Sequence, residues 1–547
     1  THLMPEDSVG LRRLARQMGL PDGRNLWEQW RSVARHVKRL QQRVFYSPLL
    51  EAVSRLSGDE LKLSTEAAAD RLRALGFNDP DAALRHIAAL TTGLNRTAEI
   101  QRQLMPAMLG WFSNGPNPDL GLLSFRKLSD DMGATSWYMR ALRDEGWMAE
   151  RLARILSTSR YITDLLRRDP AVAQLLASDE IASPRSREDL NDSMSRIVER
   201  HSGSPEAAIN AVRLLRLREL FRIAAGDVLG AMDLATVGRG LSDLTGASVD
   251  AALRIAMDGE PARVPIGVVA MGSWGSASMG YASDGDALFV VGDDCEDDDV
   301  AWAAKTVARM RFLLSGPGPE PSLGIDADLR PDGRSGPMIR RLGSYLSYYQ
   351  RWSDTWESQA LLRASFGAGD RELVEKLLAG IAFRRYPADG ISPSQVAQIR
   401  QLKGRMERER TRRGLVSQNL KLGPGGLSDV EWTIQLLQLQ HAGQIAALQV
   451  SNPQEALEAA RQAELISDAD AKALSMAWEM ASQLRNKSML VRGRASDLLP
   501  SDIRETASVA TLLGYEQARA SELLNTWAKA ARHASQVVGW VFWGVER

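Results

Sequence analysis

VPIGVVAMGSWGSASMGYASDGDALFVV, Val264–Val291, sets two apolar runs of strand length on either side of a small-residue turn. The first run, Val264–Met271, breaks at Gly272-Ser273, and ten residues further on Asp284-Gly285-Asp286 opens the second, Ala287–Val291. Length and composition predict a strand for each. Alternate side chains of a strand share a face, so Asp284 and Asp286 would stand side by side while Gly285 points away. Two hard carboxylates favour Mg²⁺, which completes its shell with water and phosphate oxygens. Gly272 allows backbone amides to approach a phosphate closely, and Ser273 adds a hydroxyl donor.

A strand, Gly-Ser, about ten residues and then Asp-x-Asp on the next strand resembles the signature of the nucleotidyltransferase superfamily. Asp-x-Asp alone is common in solvated loops and Gly-Ser alone carries no meaning. Here the two occur together, each set against an apolar run. Two-metal transfer sites use a further carboxylate on a neighbouring strand. SLGIDADLRPDGRSGPM, Ser322–Met338, offers Asp326 and Asp328 at i and i+2 in an extended run stopped by Pro331 and Gly333. Spacing does not choose between them.

That segment is similar to the VDxRLRPxGxxGP motif of glutamine synthetase adenylyltransferases, enzymes that attach AMP to and remove it from a tyrosine of glutamine synthetase. Asp326 falls on the motif's Asp and Arg330 on its second Arg. Downstream, Tyr348–Asp370 resembles the family's W-E-x-Q-A-L-L-R-A segment, with Glu357, Gln359 and Arg363 in place, and by spacing it reads as an amphipathic helix. NLKLGPGGLSDVEW, Asn419–Trp432, is similar to the family's glycine-rich motif at Asn419, Lys421, Gly423, Gly425, Gly426, Asp429 and Glu431. Its spacing fits neither a P-loop nor a dinucleotide fingerprint. Ser428-Asp429 matches the adenylylating type of half rather than the AMP-removing type. Two departures stand out: Ser278 and Met279 occupy the place of a usual Glu, and Asp328 stands where the motif often has Arg. Both bear on ATP affinity or acceptor fit.

Composition bounds the rest. The chain has 547 residues, more than one core holds, and its 68 basic and 68 acidic residues cancel. No basic excess or stripe points to nucleic acid. One cysteine, Cys295, excludes an internal disulfide and a thiolate zinc site, and six scattered histidines have no ligand spacing. This reads as a protein of a reducing cytosol, with no membrane span and no signal peptide.

Helical periodicity fills the flanks. Leu26–Tyr46 is echoed at the far end, where Trp527, Ala531-Arg532-His533 and Val541-Phe542 lie 497 positions after Trp30, Ala34-Arg35-His36 and Val44-Phe45. An unbroken register argues for duplication, with residues 1–60 as the closing helices of another catalytic half and the chain as the back part of a tandem protein. Residues 61–205 read as a helical linker with joints at Asn78-Asp79-Pro80, Asn114–Asp119 and Ser183-Pro184. Two helical stretches over 206–256 carry arginines expected to be solvated or paired at the surface. The acidic run Asp293–Asp299 suits the N-terminus of a helix over Val300–Leu314. Lys403–Arg413 reads as a solvated, mixed-charge helix face.

The expected fold is α+β and predominantly helical: a small mixed sheet of nucleotidyltransferase type in residues 206–345, followed by a helical domain, 346–547. The resemblance implies AMP transfer from ATP to a tyrosine hydroxyl of glutamine synthetase. It implies Asp284, Asp286 and Asp326 as metal-binding and catalytic residues, with Mg²⁺ as cofactor and Gly272, Ser273, Arg330, Asn419 and Lys421 as nucleotide-binding residues. A PII-type signalling protein and glutamine are the implied effectors. Phosphorolytic deadenylylation, another nucleotidyl transfer such as uridylylation, and a non-catalytic helical scaffold are the alternatives.

Overall fold

The computed structural model describes residues 8–23, 25–26, 29–30, 33, 62–92, 96–132, 135–144, 146–257, 263–410, 414–516 and 519–546. The chain divides into two compact units, Thr1–Ala153 and Arg154–Arg547. Most of the proposed duplication at the N-terminal end, including Ala34, Arg35, His36, Val44 and Phe45, lies outside the described residues.

The first unit is helical where it is described. Its joints form where Asp and Pro dictate. Asp79 caps the helix Pro80–Thr91 by accepting the Ala82 N–H, with Pro80 in the first turn, where a missing N–H costs nothing. Asp119, in the first turn of the helix Pro118–Met132, accepts the backbone N–H of Asn78 at 2.9 Å and of Asp79 at 3.2 Å. Leu109, Phe112, Leu122 and Phe125 bury their side chains in its interior.

The second unit contains one five-stranded sheet. Strands β1 (Ile266–Ala270) and β2 (Gly285–Val291) are the two predicted apolar runs and pair antiparallel, Ile266 opposite Val291. Strands β3 (Ile325–Asp326) and β4 (Arg340–Arg341) pair parallel to β2, and β5 (Ser365–Gly369) pairs antiparallel to β1. Every residue of β1 is buried, as is every residue of β2 except Asp286. Continuous burial means that both faces of the sheet are covered. Val269, Leu288 and Val290 pack with Tyr345 and Tyr349 of the helix Leu342–Arg351 and with Val374 and Leu377 of the helix Arg371–Gly380. Full burial of each such side chain contributes about 1.5–3 kcal/mol. C-terminal to the sheet, long helices including Leu427–His441, Asp468–Arg492 and Ala520–Val541 close around a separate apolar core. The fold is thus α+β and predominantly helical, as expected.

Four readings need correction. The third strand is only two residues long: residues 327–330 form a turn, so Asp328 does not share a strand face with Asp326. The stretch read as one helix over Tyr348–Asp370 holds the helix Thr355–Leu361 and then β5. SFGAG has small residues and poor helix formers, and they fit where β1 offers an open edge: a Cβ on Gly369 would stand 2.1 Å from the Ile266 carbonyl oxygen. Arg213, Arg216 and Arg222 are buried rather than solvated. Arg213 pairs with the buried Glu320 at 2.9 Å and donates to the Gly316 and Pro317 carbonyls, pinning the loop that leads into β3. Lys403, on the supposed solvated face, is fully buried. The acidic run behaves as expected, with Asp297–Asp299 in the first turn of the helix Asp297–Ser315 and Glu296 forming its capping box with Asp299.

Candidate active site

The connection from β1 to β2 builds the site. Gly272 has φ +54°, a conformation open to glycine at little cost, and a Cβ there would stand 2.2 Å from Oδ2 of Asp286. Met271 N–H donates to the Asp286 carbonyl at 2.8 Å. The turn is therefore pressed directly onto the second carboxylate. Gly285 N–H donates to the Gly324 carbonyl at 2.9 Å, which sets the parallel register Gly285 opposite Ile325 and Asp286 opposite Asp326. Asp284 leans the same way: a Cβ on Gly324 would stand 2.8 Å from its Oδ1. Asp286 and Asp326 therefore stand opposite each other on adjacent strands, with Asp284 the residue just before β2.

Their charges oppose one another. The Asp286 carboxyl is pushed up to about 6, first by burial and then by the Asp326 charge, with Arg363 and Lys421 pulling the other way. An all-oxygen, all-anionic donor set suits a hard divalent cation such as Mg²⁺, and the crowded negative charge gives a physical reason for one. Among the described residues no three such side chains already converge at metal-holding geometry. Asp326 Oδ1 accepts the Asp328 N–H at 2.7 Å, which leaves that oxygen's second lone pair and the whole of the other oxygen for a ligand. The donors fit the ion in chemistry, and the side chains have to draw together to hold it.

Asp284, Asp286, Gly272, Ser273 and Lys421 line a cleft of about 840 Å³. Arg363 is a firmly held cation of its wall. It follows the helix Thr355–Leu361, donates to Ser276 Oγ at 2.9 and 3.2 Å, and pairs with Glu431 at 2.8 Å. Asn452 joins the wall by donating to the Ser276 carbonyl at 3.1 Å while its Oδ1 caps the helix Pro453–Gln462. Arg239, Trp478 and Arg485 also face the cleft. Of these wall residues, sequence reasoning pointed to Arg363 and Glu431 through resemblance alone. Asn452-Pro453 carries a cap signature that marks a helix start and says nothing of a cleft.

Asp326, Arg330 and Asn419 are not among the residues lining this cleft, and the contacts of the last two are with nearby turns. Arg330 is buried and donates to the carbonyls of Ala327, Arg334 and Gly336, so it braces the turn after β3. Asn419 Oδ1 accepts the N–H groups of Lys421 and Leu422 at 2.9 and 2.8 Å, which holds the turn that presents Lys421. The glycines behind Lys421 serve packing: a Cβ on Gly425 would stand 1.9 Å from the Ala531 carbonyl oxygen. Asp429 accepts the Gly425 N–H at 2.7 Å and pairs with Lys403. Glu357 is buried in the capping box of its own helix, and Gln359 donates to Gln435 at 2.7 Å.

A helix-flanked mixed sheet with Gly-Ser after one strand and Asp-x-Asp at the head of the next defines a nucleotidyltransferase-type fold. Residues 149–380 match a family model described as glutamate-ammonia ligase adenylyltransferase, and residues 395–542 match one described as GlnD PII-uridylyltransferase. The chain is 50% identical over 99% of its length to a bifunctional glutamine synthetase adenylyltransferase/adenylyl-removing enzyme of Cutibacterium acnes, covering 55% of that protein. It is 46% identical over 99% of its length to the enzyme of the same name from Streptomyces coelicolor, covering 57%. With that of Mycobacterium tuberculosis it shares 40% identity over 99% of its length, covering 56%. This chain belongs to the glutamine synthetase adenylyltransferase family, and it spans a little over half the length of these curated relatives.

Proposed function

We propose that this chain transfers AMP from ATP to a tyrosine hydroxyl of glutamine synthetase and releases pyrophosphate. The observation that carries the reading is the register of Asp286 opposite Asp326, with Asp284 beside them and the cations Arg363 and Lys421 on the same cleft. The names of the relatives support the choice of acceptor.

Asp284, Asp286 and Asp326 would hold Mg²⁺. The chemistry that ion supplies when bound is neutralisation of phosphate oxygens and orientation of the leaving pyrophosphate. The chain's own residues do the rest. Gly272 and Ser273 take the terminal phosphates, and Lys421, held in place by Asn419, adds a positive charge. The tyrosine oxygen bonds to the α-phosphorus while the bond from that phosphorus to the bridging oxygen breaks, and the electron pair leaves with pyrophosphate. A free tyrosine hydroxyl has a pKa of about 10 and is protonated at neutral pH, so a base is needed, and Asp326 would accept its proton.

Residues 206–345 together with β5 would form the catalytic core, the helices that follow β5 to the end of the chain a helical domain, and 61–205 a regulatory linker. A PII-type protein, which the uridylyltransferase-type match over 395–542 supports, and glutamine are the proposed effectors. No helix among the described residues is long and apolar enough to cross a membrane.

The test is incubation of the chain with α-labelled ATP, Mg²⁺ and unmodified glutamine synthetase. Label on the synthetase with release of pyrophosphate is expected. Label only from UTP, or ADP release only from adenylylated synthetase plus orthophosphate, replaces this reading with uridylylation or deadenylylation.

A further inference from the structure

The loop that delivers Asp284 is tied to the C-terminal helices through one buried acid. Asp227 sits in the last turn of the helix Pro205–Leu229 and is 7% exposed. A carboxylate there faces the negative end of the helix dipole and needs a counter-charge. Lys487, from the helix Asp468–Arg492 and also 7% exposed, supplies it. Its ammonium pairs with Oδ1 of Asp227 and donates to the Asp227 carbonyl at 3.1 Å, satisfying a helix-end oxygen as well. The other carboxylate oxygen, Oδ2, accepts the hydroxyl of Tyr281 at 3.0 Å. Tyr281 lies three residues before Asp284.

Neighbouring contacts reinforce the link. The residue before Lys487 on the same helix, Asn486, packs against the loop one position before Tyr281: a Cβ on Gly280 would stand 2.5 Å from its Oδ1. Gly280 N–H in turn donates to Ser283 Oγ at 3.0 Å. The Tyr281 ring packs on Tyr161 with centroids 5.7 Å apart, and Ser159 ties that segment to the Leu490 carbonyl at 2.8 Å. Burial, and then the Asp227 charge, hold the Tyr281 hydroxyl well above its ordinary value, so it stays a donor at neutral pH. Each oxygen of Asp227 serves a different element, and losing either partner leaves a buried charge incompletely satisfied.

We propose that Lys487, Asp227 and Tyr281 form a positioning relay through which the C-terminal helices set the place of Asp284, and with it the affinity of the site for a metal–nucleotide pair. The inference rests on the reading of Asp284 as a ligand of that pair. None of the three touches the reacting atoms; they act through Asp284.

The experiment uses the full 547-residue chain. Binding of a non-hydrolysable ATP analogue is measured by titration calorimetry with and without Mg²⁺, beside thermal melting, for wild type, Tyr281→Phe, Lys487→Met, the double variant and Asp284→Asn. Tyr281→Phe is expected to weaken Mg²⁺-dependent binding about tenfold, the scale for partners that orient metal ligands, and to leave Mg²⁺-independent binding unchanged. The double variant is expected to lose less than the sum of the two single losses, because both changes break one chain of contacts. Should Lys487→Met fail to fold, Tyr281→Phe alone decides. Wild-type Mg²⁺-dependent binding in Tyr281→Phe, or equal weakening with and without the ion, overturns the relay if Asp284→Asn binds weakly. If Asp284→Asn itself binds as wild type does, the reading of Asp284 as a ligand fails and the relay falls with it.

Discussion

Gly272 and Asp286 are so close that a methyl group on the first would stand 2.2 Å from a carboxylate oxygen of the second. At φ +54° an alanine is also strained by about 1–2 kcal/mol. Gly272→Ala should therefore do two separable things. Stability falls by roughly that strain. The Asp286 carboxylate is displaced, and a shift of about 1 Å at such a group lowers transfer on the order of 10²-fold. Thermal melts and steady-state adenylylation read the two effects. Wild-type turnover in a folded Gly272→Ala protein would show that the turn does not place Asp286.

Asp284→Asn and Asp286→Asn remove charge without removing volume. Asp284 is exposed and Asp286 is opposed by burial and by Asp326, so neither change should lower the melting temperature appreciably. Transfer should fall to background in both. Retained turnover in either, at saturating Mg²⁺, removes that residue from the metal assignment.

What the sequence made legible, and what it did not, divides along range of interaction. β1 and β2 are local: an apolar run has nowhere else to go, and Asp284 and Asp286 sit at its edge. Helix starts at Asp79-Pro80 and Glu296 are equally local, since the cap and its partner lie within three residues. β5 was missed because SFGAG has no strand signature of its own and is extended only where the edge of β1 receives it. Arg213 and Arg216 were missed because their acid, Glu320, is more than a hundred positions away from each; Arg222 pairs with Glu219 on its own helix and is buried only because other elements cover that pair. The cleft wall fails for the same reason, since Ser276, Arg363, Glu431 and Asn452 meet only after folding.

Glu357, which matches the family's W-E-x-Q-A-L-L-R-A segment, offers a pH test. The structure gives it a local job, accepting the Asp354 N–H at 2.7 Å and the Tyr348 hydroxyl at 3.3 Å. Burial raises its carboxyl above the ordinary 4.5. A raised folded-state value means that the native state holds the proton more tightly than the unfolded chain does, so this group's contribution to stability declines as pH rises above 4.5. Glu357→Gln keeps an acceptor for Asp354 and cannot ionise, so the dependence of melting temperature on pH from that point towards neutrality should flatten. An unchanged slope would remove Glu357 from the account.

Lys403 tests whether the glycine-rich turn is held from behind. It is fully buried and pairs with Asp429, whose other oxygen accepts the Gly425 N–H at 2.7 Å. Lys403→Met leaves Asp429 charged and short of a partner in a buried place, a loss on the scale of about 3–5 kcal/mol. Denaturant unfolding should show it. Lys403→Met with Asp429→Asn removes both buried charges, leaves Glu407, the lysine's other and partly exposed partner, to solvent, and should recover much of the loss. No recovery in the double variant would mean that packing of the lysine stem, rather than the ion pair, supports the turn.

Asp326 and Asp328 can be told apart by the same logic. Asp326 is registered beside Asp286, and its charge is the second-largest influence on that carboxyl. Asp328 sits in the turn beyond, where Arg334 pairs with it at 2.6 Å and its own N–H donates to Asp326. Asp328 also lies past the end of β3, outside the register that sets Asp326 opposite Asp286. Asp326→Asn should therefore lower transfer by at least ~10²-fold, the scale for a proton-transfer group. Asp328→Asn should change it only modestly, because the backbone N–H that touches Asp326 survives the substitution and surface pairs contribute little. Asp328→Arg sets like charges beside Arg334 and is expected to loosen the turn without abolishing turnover. Adenylylation measured across a Mg²⁺ titration separates the three variants. A dead Asp328→Asn beside a normal Asp326→Asn would move the third carboxylate two residues along the chain, and with it the proton acceptor.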